Sequence, residues 1–360
     1  MKRRLLLVLI IWMLCQPTVV VGQEPRRIGE ETFISRAIFA DGHVWLMSDA
    51  GVLLSITEGK DDPVEIALPE AALDLWPEDG QPAVISCSRP SCTEWILRHR
   101  SSSGEWNVMA RVATLGEHFV TVGKTNGGIT VLTHRRIIDL AGGKESSIAM
   151  SGAWQPKPIA STHVTPTSVF IGFNEGEWGG GLQRIDRKTG EVVSIERKES
   201  GQFCFRPLDS ACDPVNGIAT APWNPDCVVV AVGLVHFQPS GRLLEVCGNV
   251  VRLIYVKAWP PPNKADKQPL PNKADVGDRE PFPSVAFFGL SRQDDTLWAV
   301  GIDGIYQVES DGSAQSNPLP PFKRVGEFWV SFDLPGFVLV LTDVNQRRSI
   351  SGSVPLLVPR

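Results

Sequence analysis

Residues 297–312, LWAVGIDGIYQVESDG, decide the fold. The stretch contains two short apolar strands, residues 297–300 and 305–308, joined by Gly-Ile-Asp-Gly and followed by an Asp-Gly turn. Asp-Gly tolerates the positive φ angles with which tight hairpins close. The stretch therefore predicts a small antiparallel β-unit.

Apolar runs like the first of these strands recur along the chain, and no long window has the spacing of an amphipathic helix. The runs are VWLMS at residue 44, AVISC at 83, FVTVG at 119, SVFIGF at 168, VVVAVG at 228, LWAV at 297 and VLVLTD at 338. They recur on average about every 49 residues, and a period of that size with about four strands per unit is typical of a β-propeller. We therefore predict an all-β fold, a single β-propeller of seven four-stranded blades. The pattern is also compatible with six or eight blades. A pair of β-sandwiches is the alternative, but no linker separates two equal halves.

Three stretches resemble blades of the broad β-propeller superfamily, which includes the two-component-regulator, YVTN and quinoprotein types. They are LWAVGIDGIYQVESDG, VWLMSDAGVLLSI and VFIGFNEGEWGGGLQRIDRKTGEV. The Trp-Asp dipeptide of WD40 blades and the double glycine of kelch blades are not among the matching features. Because propellers host enzymes, lectins and scaffolds alike, the resemblance implies the fold and leaves the function open.

The first 22 residues have the pattern of a secretory signal peptide. Three basic residues at positions 2–4 precede an apolar run over 5–14, and small residues lead to a cleavage site after Gly22. An uncleaved anchor is the alternative, but Gln16 and Pro17 interrupt a run shorter than the ~20 residues that a membrane span needs. We predict a secreted or periplasmic protein whose mature domain, residues 23–360, has no transmembrane span.

The charge of that mature chain is acidic. The signal segment contains three basic residues and no acids, so 32 basic side chains remain against 40 acidic ones. A net charge near −8 argues against non-specific binding to nucleic acid or to an anionic membrane.

The cysteines agree with export. Six remain after the signal segment, and an even number in an exported chain indicates disulfide bonds. Proximity in sequence favours the pairs Cys87–Cys92, Cys204–Cys212 and Cys227–Cys247. A zinc site is the competing interpretation, but the chain has no Cys-x-x-Cys motif and no paired histidines.

Three insertions carry most of the extra length, and they lie at residues 174–181, 199–222 and 259–283. In a four-stranded blade, the link between the second and third strands lies at the same end as the link to the next blade. The insertions are therefore expected on one face of the disc. Residues 259–283 contain PNKAD twice, and this polar, proline-rich composition predicts an exposed loop.

The first insertion combines two carboxylates with an aromatic ring. Glu175 and Glu177 in a glycine-rich loop could hold a hard cation or act as acid and base, and Trp178 could stack on a sugar or a cation. A solvated acidic loop with a packed tryptophan is the alternative. Asp213 and Asn216, in DPVNG, have the side chains of a cation site but also suit a simple Asx turn.

Two histidines complete the candidates. His236 lies in the link of a hairpin and His163 in a predicted inner strand, and each could be a ligand, a base or a hydrogen-bonded structural residue. The predicted ligand-binding residues are Asn174, Glu175, Glu177, Trp178, Asp213, Asn216 and His236.

No recognisable catalytic motif is present, whether a nucleophile elbow, a zincin helix, a P-loop or a dinucleotide fingerprint. We therefore predict a binding or interaction module that uses the insertion-bearing face, with a small molecule, a glycan or an envelope protein as partner. The alternative is a metal-dependent hydrolase or lyase with a divalent cation as cofactor. We further expect a strand soon after Gln23 to close the ring against strands from residues 338–358.

Overall fold

The computed structural model describes residues 34–360 except 58, 60–62, 89, 126, 199–206, 237, 260–282, 321–327, 333, 335 and 343–355. The described chain is almost entirely β, in antiparallel sheets whose strands follow one another in chain order. Six of the sheets have four strands, and three strands of a seventh are described. The fold is a seven-bladed β-propeller, as the repeat predicts.

The strand bounds are as follows. Blade one contains β1 (Ile34–Ala40), β2 (His43–Ser48), β3 (Leu53–Thr57) and β4 (Val64–Ile66), and blade two contains β5 (Ala72–Glu78), β6 (Gln81–Cys87), β7 (Glu94–Arg100) and β8 (Trp106–Ala113). Blade three contains β9 (Phe119–Thr125), β10 (Gly128–Thr133), β11 (Arg136–Ala141) and β12 (Lys144–Ala149), and blade four contains β13 (Ile159–Val164), β14 (Ser168–Asn174), β15 (Gly180–Asp186) and β16 (Val192–Ile195).

A short hairpin, β17 (Arg197–Lys198) with β18 (Pro207–Leu208), precedes blade five. Blade five contains β19 (Val215–Ala221), β20 (Asn224–His236), β21 (Gln238–Cys247) and β22 (Val250–Tyr255). Blade six contains β23 (Phe287–Gln293), β24 (Thr296–Gly301), β25 (Gly304–Val308) and β26 (Ala314–Pro318), and blade seven contains β27 (Phe328–Ser331), β28 (Phe337–Thr342) and β29 (Leu356–Pro359).

The predicted hairpin of residues 297–312 is confirmed as β24 and β25, with Leu297 opposite Val308. Six of the seven apolar runs are second strands of their blades, and FVTVG is the exception. FVTVG forms β9, the first strand of blade three, and the equivalent second strand is β10. The start of β9, FVTV, is as apolar as a second strand, so composition alone does not separate the two at this blade.

The blades form a ring because the first strand of each contacts the first strand of the next, from β1 through β5, β9, β13, β19 and β23 to β27. Leu339 of β28 packs with Ile34, Ala37 and Leu46 of blade one, which closes the ring. Near the axis the strands approach closely, and a Cβ added at Gly289 would lie 1.8 Å from Val330 Cγ2. Side chains buried between adjacent blades form the core.

Alternation of strand direction gives the disc two faces. We call the face with the links between second and third strands, and between blades, the insertion face; the opposite face has the remaining links. Residues 175–179, between β14 and β15, lie on the insertion face, as does the end of β20 at His236.

Two disulfide bonds are present in the described residues, Cys87–Cys92 and Cys227–Cys247. The second joins residues directly opposite each other on β20 and β21. Cys212 is also disulfide-bonded, and its predicted partner Cys204 lies outside the described residues.

Other predictions fall on parts of the chain that the structure leaves out. The signal segment, the strand expected soon after Gln23 and most of residues 259–283 lie outside the described residues. Within the described part, no helix has the length and apolar character to cross a membrane.

Candidate functional site

The first insertion forms a closed loop that displays a tryptophan. A 3₁₀ turn, Gly176–Trp178, follows β14, and Gly176 (φ 64°) and Gly179 (φ 117°) supply the left-handed backbone that the loop needs. The Glu175 N–H donates to the Gly179 carbonyl (2.8 Å), and the Trp178 N–H donates to the Glu175 carbonyl (3.3 Å). Trp178 is 78% exposed, so the tryptophan is displayed and not packed as the alternative interpretation expects.

Glu177 and His236 meet across the junction of blades four and five. His236 Nδ1 lies 2.5 Å from Glu177 Oε2, and both side chains are about two-fifths exposed. The 3₁₀ turn packs against β20, which brings Glu177 to the end of that strand at His236. The pair is a half-exposed acid–base couple next to Trp178 on the insertion face.

Glu175 is held by a lysine that the sequence analysis did not single out. Lys157 Nζ lies 3.3 Å from Glu175 Oε2 and donates to the Gly180 carbonyl (3.1 Å) and the Ser210 carbonyl (2.8 Å). Lys157 therefore ties the first insertion to the segment before blade five. An isolated lysine in a proline-rich stretch, QPKP, has no sequence pattern that predicts this role.

Asp213 is buried in a different environment. Its Oδ2 lies 2.6 Å from the Arg242 guanidinium and accepts the Asp209 backbone N–H at 2.7 Å. Both side chains of the ion pair are buried. Burial raises the pKa of the Asp213 carboxyl, and the Arg242 charge opposes that rise. The carboxylate thus braces the turn that leads into β19.

Asn174 and Asn216 join three blades near the axis. Asn174 Nδ2 donates to Asn216 Oδ1 at 2.8 Å, and Asn216 Nδ2 donates to the carbonyls of Gly233 (2.6 Å) and Phe287 (3.1 Å). Their amides are therefore used in bonds between blades four, five and six.

The seven predicted residues thus belong to one junction but do different work. Three of them lie at the surface: Glu177, Trp178 and His236. Three others stabilise the loops by internal bonds: Asn174, Asp213 and Asn216. Glu175 also stabilises the loops, through its ion pair with Lys157. Gly180 lies against the Asp213 carbonyl, which places the two insertions in contact.

The divalent cation stays a prediction, and its candidate carboxylates have basic side chains as neighbours. The carboxylates of Glu175, Glu177 and Asp213 each face a different basic partner. Among the described residues, the set of three possible metal ligands within reach of one another is Cys227, Glu245 and Cys247, whose two cysteines form a disulfide.

His163 lies in the inner strand β13, as predicted. Its Nε2 lies 2.8 Å from Thr220 Oγ1 of β19, and burial lowers the pKa of the imidazole to about 4. The geometry favours the structural interpretation, in which a neutral histidine links the first strands of blades four and five.

Comparison with known proteins adds the fold and no family. No protein-family model matches the chain, and no curated protein matches it. The solved structures that it resembles are β-propellers. YCF48 bound to D1 peptide is 12% identical with a TM-score of 0.50, over 91% of this chain and 93% of that one. The propeller domain of the Trilobed protease from Pyrococcus furiosus is 8% identical with a TM-score of 0.46, over 91% of this chain and 95% of that one.

A third similar structure is much longer. It is the extracellular domain of a B. thetaiotaomicron protein described as a one-component system, 13% identical with a TM-score of 0.45 over 89% of this chain. The present chain spans 39% of its length. At these identities the likeness shows the fold alone.

Proposed function

We propose that this protein is an exported interaction module that binds a polypeptide partner through the insertion face at the junction of blades four and five. The observation that carries the proposal is the 78% exposure of Trp178 at the tip of a closed loop. Tryptophan is among the residue types that dominate binding energy at protein interfaces, because it buries a large area with few rotatable bonds.

The surroundings of Trp178 suit an interface. The loop that carries Trp178 also contributes two polar pairs, Glu177–His236 and Lys157–Glu175. A central aromatic residue with a polar rim is the usual arrangement of a binding hot spot. YCF48, a propeller of similar size, is recorded with a bound peptide, so the fold can present a peptide-binding surface.

A binding role agrees better with this geometry than the alternative of a metal-dependent hydrolase or lyase. Such an enzyme needs carboxylates that converge on one cation. Here each predicted carboxylate already faces a cation or a histidine of its own. The charges of the junction are therefore used in pairs within the protein itself.

Export is part of the proposal and has its own support. The signal pattern of residues 1–22 and the disulfides Cys87–Cys92 and Cys227–Cys247 both suit an oxidising compartment. Amino-terminal sequencing of the protein recovered from the producing cells should begin at Gln23. A mature chain that begins at Met1 would contradict the predicted cleavage.

Site-specific photo-crosslinking in the producing cells tests the binding face. A photoreactive phenylalanine replaces Trp178 in one variant and Val250 in the control, since Val250 is 67% exposed on the opposite face. We expect position 178 to give one dominant protein adduct that position 250 does not give. Excess wild-type protein should suppress the adduct, and excess Trp178→Ala protein should not.

Two results would contradict the proposal. One is the same set of adducts from both positions, and the other is equal suppression by the wild-type and Trp178→Ala competitors. Either result would mean that the tryptophan is an exposed residue with no dedicated partner.

A further inference from the structure

A two-residue turn between blades two and three displays a leucine. The Glu117 N–H donates to the Thr114 carbonyl at 2.9 Å, which closes the turn over Leu115 and Gly116. Both central residues have positive φ, 51° at Leu115 and 73° at Gly116, as a type I′ turn requires. Leu115 is 69% exposed, and because the turn links two blades it lies on the insertion face.

Leucine is an unusual residue for this backbone. Five described residues other than glycine have positive φ, and three of them are aspartates, Asp41, Asp79 and Asp294. A short polar side chain bonds locally in this conformation, whereas a bulky residue such as leucine brings its Cβ too close to a carbonyl oxygen. Asp41 and Asp79 each precede a glycine in a two-residue turn of the same kind. Leu115 therefore has two costs that aspartate would avoid, a strained backbone and an apolar side chain in water.

The strain persists because both sides of the turn are fixed. The Thr114 N–H donates to the Thr93 carbonyl (2.9 Å), and the Thr114 hydroxyl donates to the Cys92 carbonyl (2.8 Å). On the other side, Glu117 Oε2 lies 2.8 Å from Arg136 Nε, and both side chains are about one-tenth exposed. Strained residues that are held in this way are concentrated at functional sites, so the outlier points to a role for the leucine side chain.

The free charge next to the turn is positive. The His118 N–H donates to His134 Nδ1 at 3.0 Å, and the centres of the two imidazole rings lie 5.2 Å apart. Arg135 follows His134 in the β10–β11 link, is exposed and has no ion pair among the described residues. The next residue, Arg136, is already paired with Glu117. Arg135 is therefore the charge that remains for a partner.

We propose that the junction of blades two and three is a docking surface for a polypeptide partner, in which Leu115 contacts an apolar side chain and Arg135 pairs with a carboxylate next to it. The surface belongs to a different junction from Trp178, so the inference stands without the role proposed for the tryptophan. An anionic membrane also offers apolar and negative groups, but the net charge near −8 of residues 23–360 opposes it.

The first test separates backbone strain from binding. Leu115→Asn gives the turn a residue that tolerates positive φ, so the melting temperature should rise by about 1–3 °C while binding is lost. Such a gain in stability with a loss of function is expected where a residue is retained for its contacts. Val250→Asn is the matched control, because it replaces a 67% exposed apolar residue on the opposite face and should leave binding unchanged.

A random dodecapeptide library displayed on phage supplies the probe for binding. Selection on the wild-type mature protein, with excess Leu115→Asn protein in solution, should enrich peptides in which an apolar residue adjoins aspartate or glutamate. For a synthetic peptide of this kind, Leu115→Asn and Arg135→Glu should each weaken binding about tenfold or more. Replacement of the acid in the peptide by lysine should restore binding to Arg135→Glu, and Trp178→Ala should bind the original peptide as the wild type does.

Four results would overturn the proposal. They are the enrichment of no peptide that distinguishes the wild type from Leu115→Asn, peptide binding that is unchanged in Arg135→Glu, and a melting temperature that falls in Leu115→Asn. The fourth is binding of phosphatidylglycerol vesicles by the wild type but not by Leu115→Asn, which would assign the surface to a membrane.

Discussion

Acidification should destabilise the propeller through one side chain, His163. Its imidazole is partly buried between β13 and β19, where desolvation lowers its pKa from 6.5 to about 4. In the unfolded chain the pKa is near 6.5, so below that pH the unfolded state takes up the proton first. The contribution of this neutral histidine to stability is therefore complete above pH 6.5 and is lost as the pH falls toward 4.

The size of the loss follows from the two pKa values. Proton uptake by the unfolded chain but not by the folded one costs about 1.4 kcal/mol for each tenfold difference in proton affinity. At pH 4.5 the folded protein should have lost about 2.5 kcal/mol through His163. That is a large fraction of the stability of a typical domain, which is ~5–15 kcal/mol.

The assay is denaturant unfolding of the wild type and of His163→Gln at several values between pH 7.5 and 4.5. Glutamine keeps an amide that can reach Thr220 but removes the titration, so the variant should show a pH dependence about 2.5 kcal/mol smaller over this range. If His163→Gln loses as much stability as the wild type on acidification, the reasoning is refuted.

Two further predictions concern the loops at the junction of blades four and five and the packing of the first strands around the axis. Asp213→Ala should lower the free energy of unfolding by about 3–5 kcal/mol because it removes the carboxylate that pairs with the buried Arg242 guanidinium. Glu177→Gln, at a half-exposed pair, should change the free energy of unfolding by less than about 1 kcal/mol. Equal effects of the two substitutions would contradict these roles. Gly289→Ala should destabilise the ring by about 1–3 kcal/mol through a clash with Val330. Adding Val330→Ala should make the double variant more stable than the sum of the single effects, and simple additivity in denaturant unfolding would argue against the clash.

The fold could be predicted from the sequence because each blade needs a buried, apolar second strand. A second strand is buried on both sides by neighbouring blades, so it contains a short, continuous apolar run, such as residues 228–232 of β20 or residues 338–340 of β28. The error at FVTVG arose where the second strand, β10, begins with glycine and alternates threonine with apolar residues, while the first strand is more apolar at its start.

The candidate site could be predicted from the sequence only in part. The loop with Glu177 and Trp178 stood out because acids, an aromatic residue and glycines are adjacent in sequence. The partners that give these residues their roles come from other blades, and neither Lys157 nor Arg242 belongs to any motif. Pairing across blades depends on the direction of each side chain. Sequence spacing therefore predicts which loops are neighbours, but it does not predict which side chains pair.

The closed loop that carries Trp178 also has a consequence for the speed and specificity of recognition. Its backbone is already fixed by the Glu175 and Trp178 hydrogen bonds and by the positive φ of Gly176, so a partner need not order it. Little conformational entropy is then lost on association, and the tryptophan can engage as a rigid surface without prior rearrangement. In the proposed binding role, the rigid loop would favour a partner of one shape, and a more flexible backbone at Gly176 would slow association.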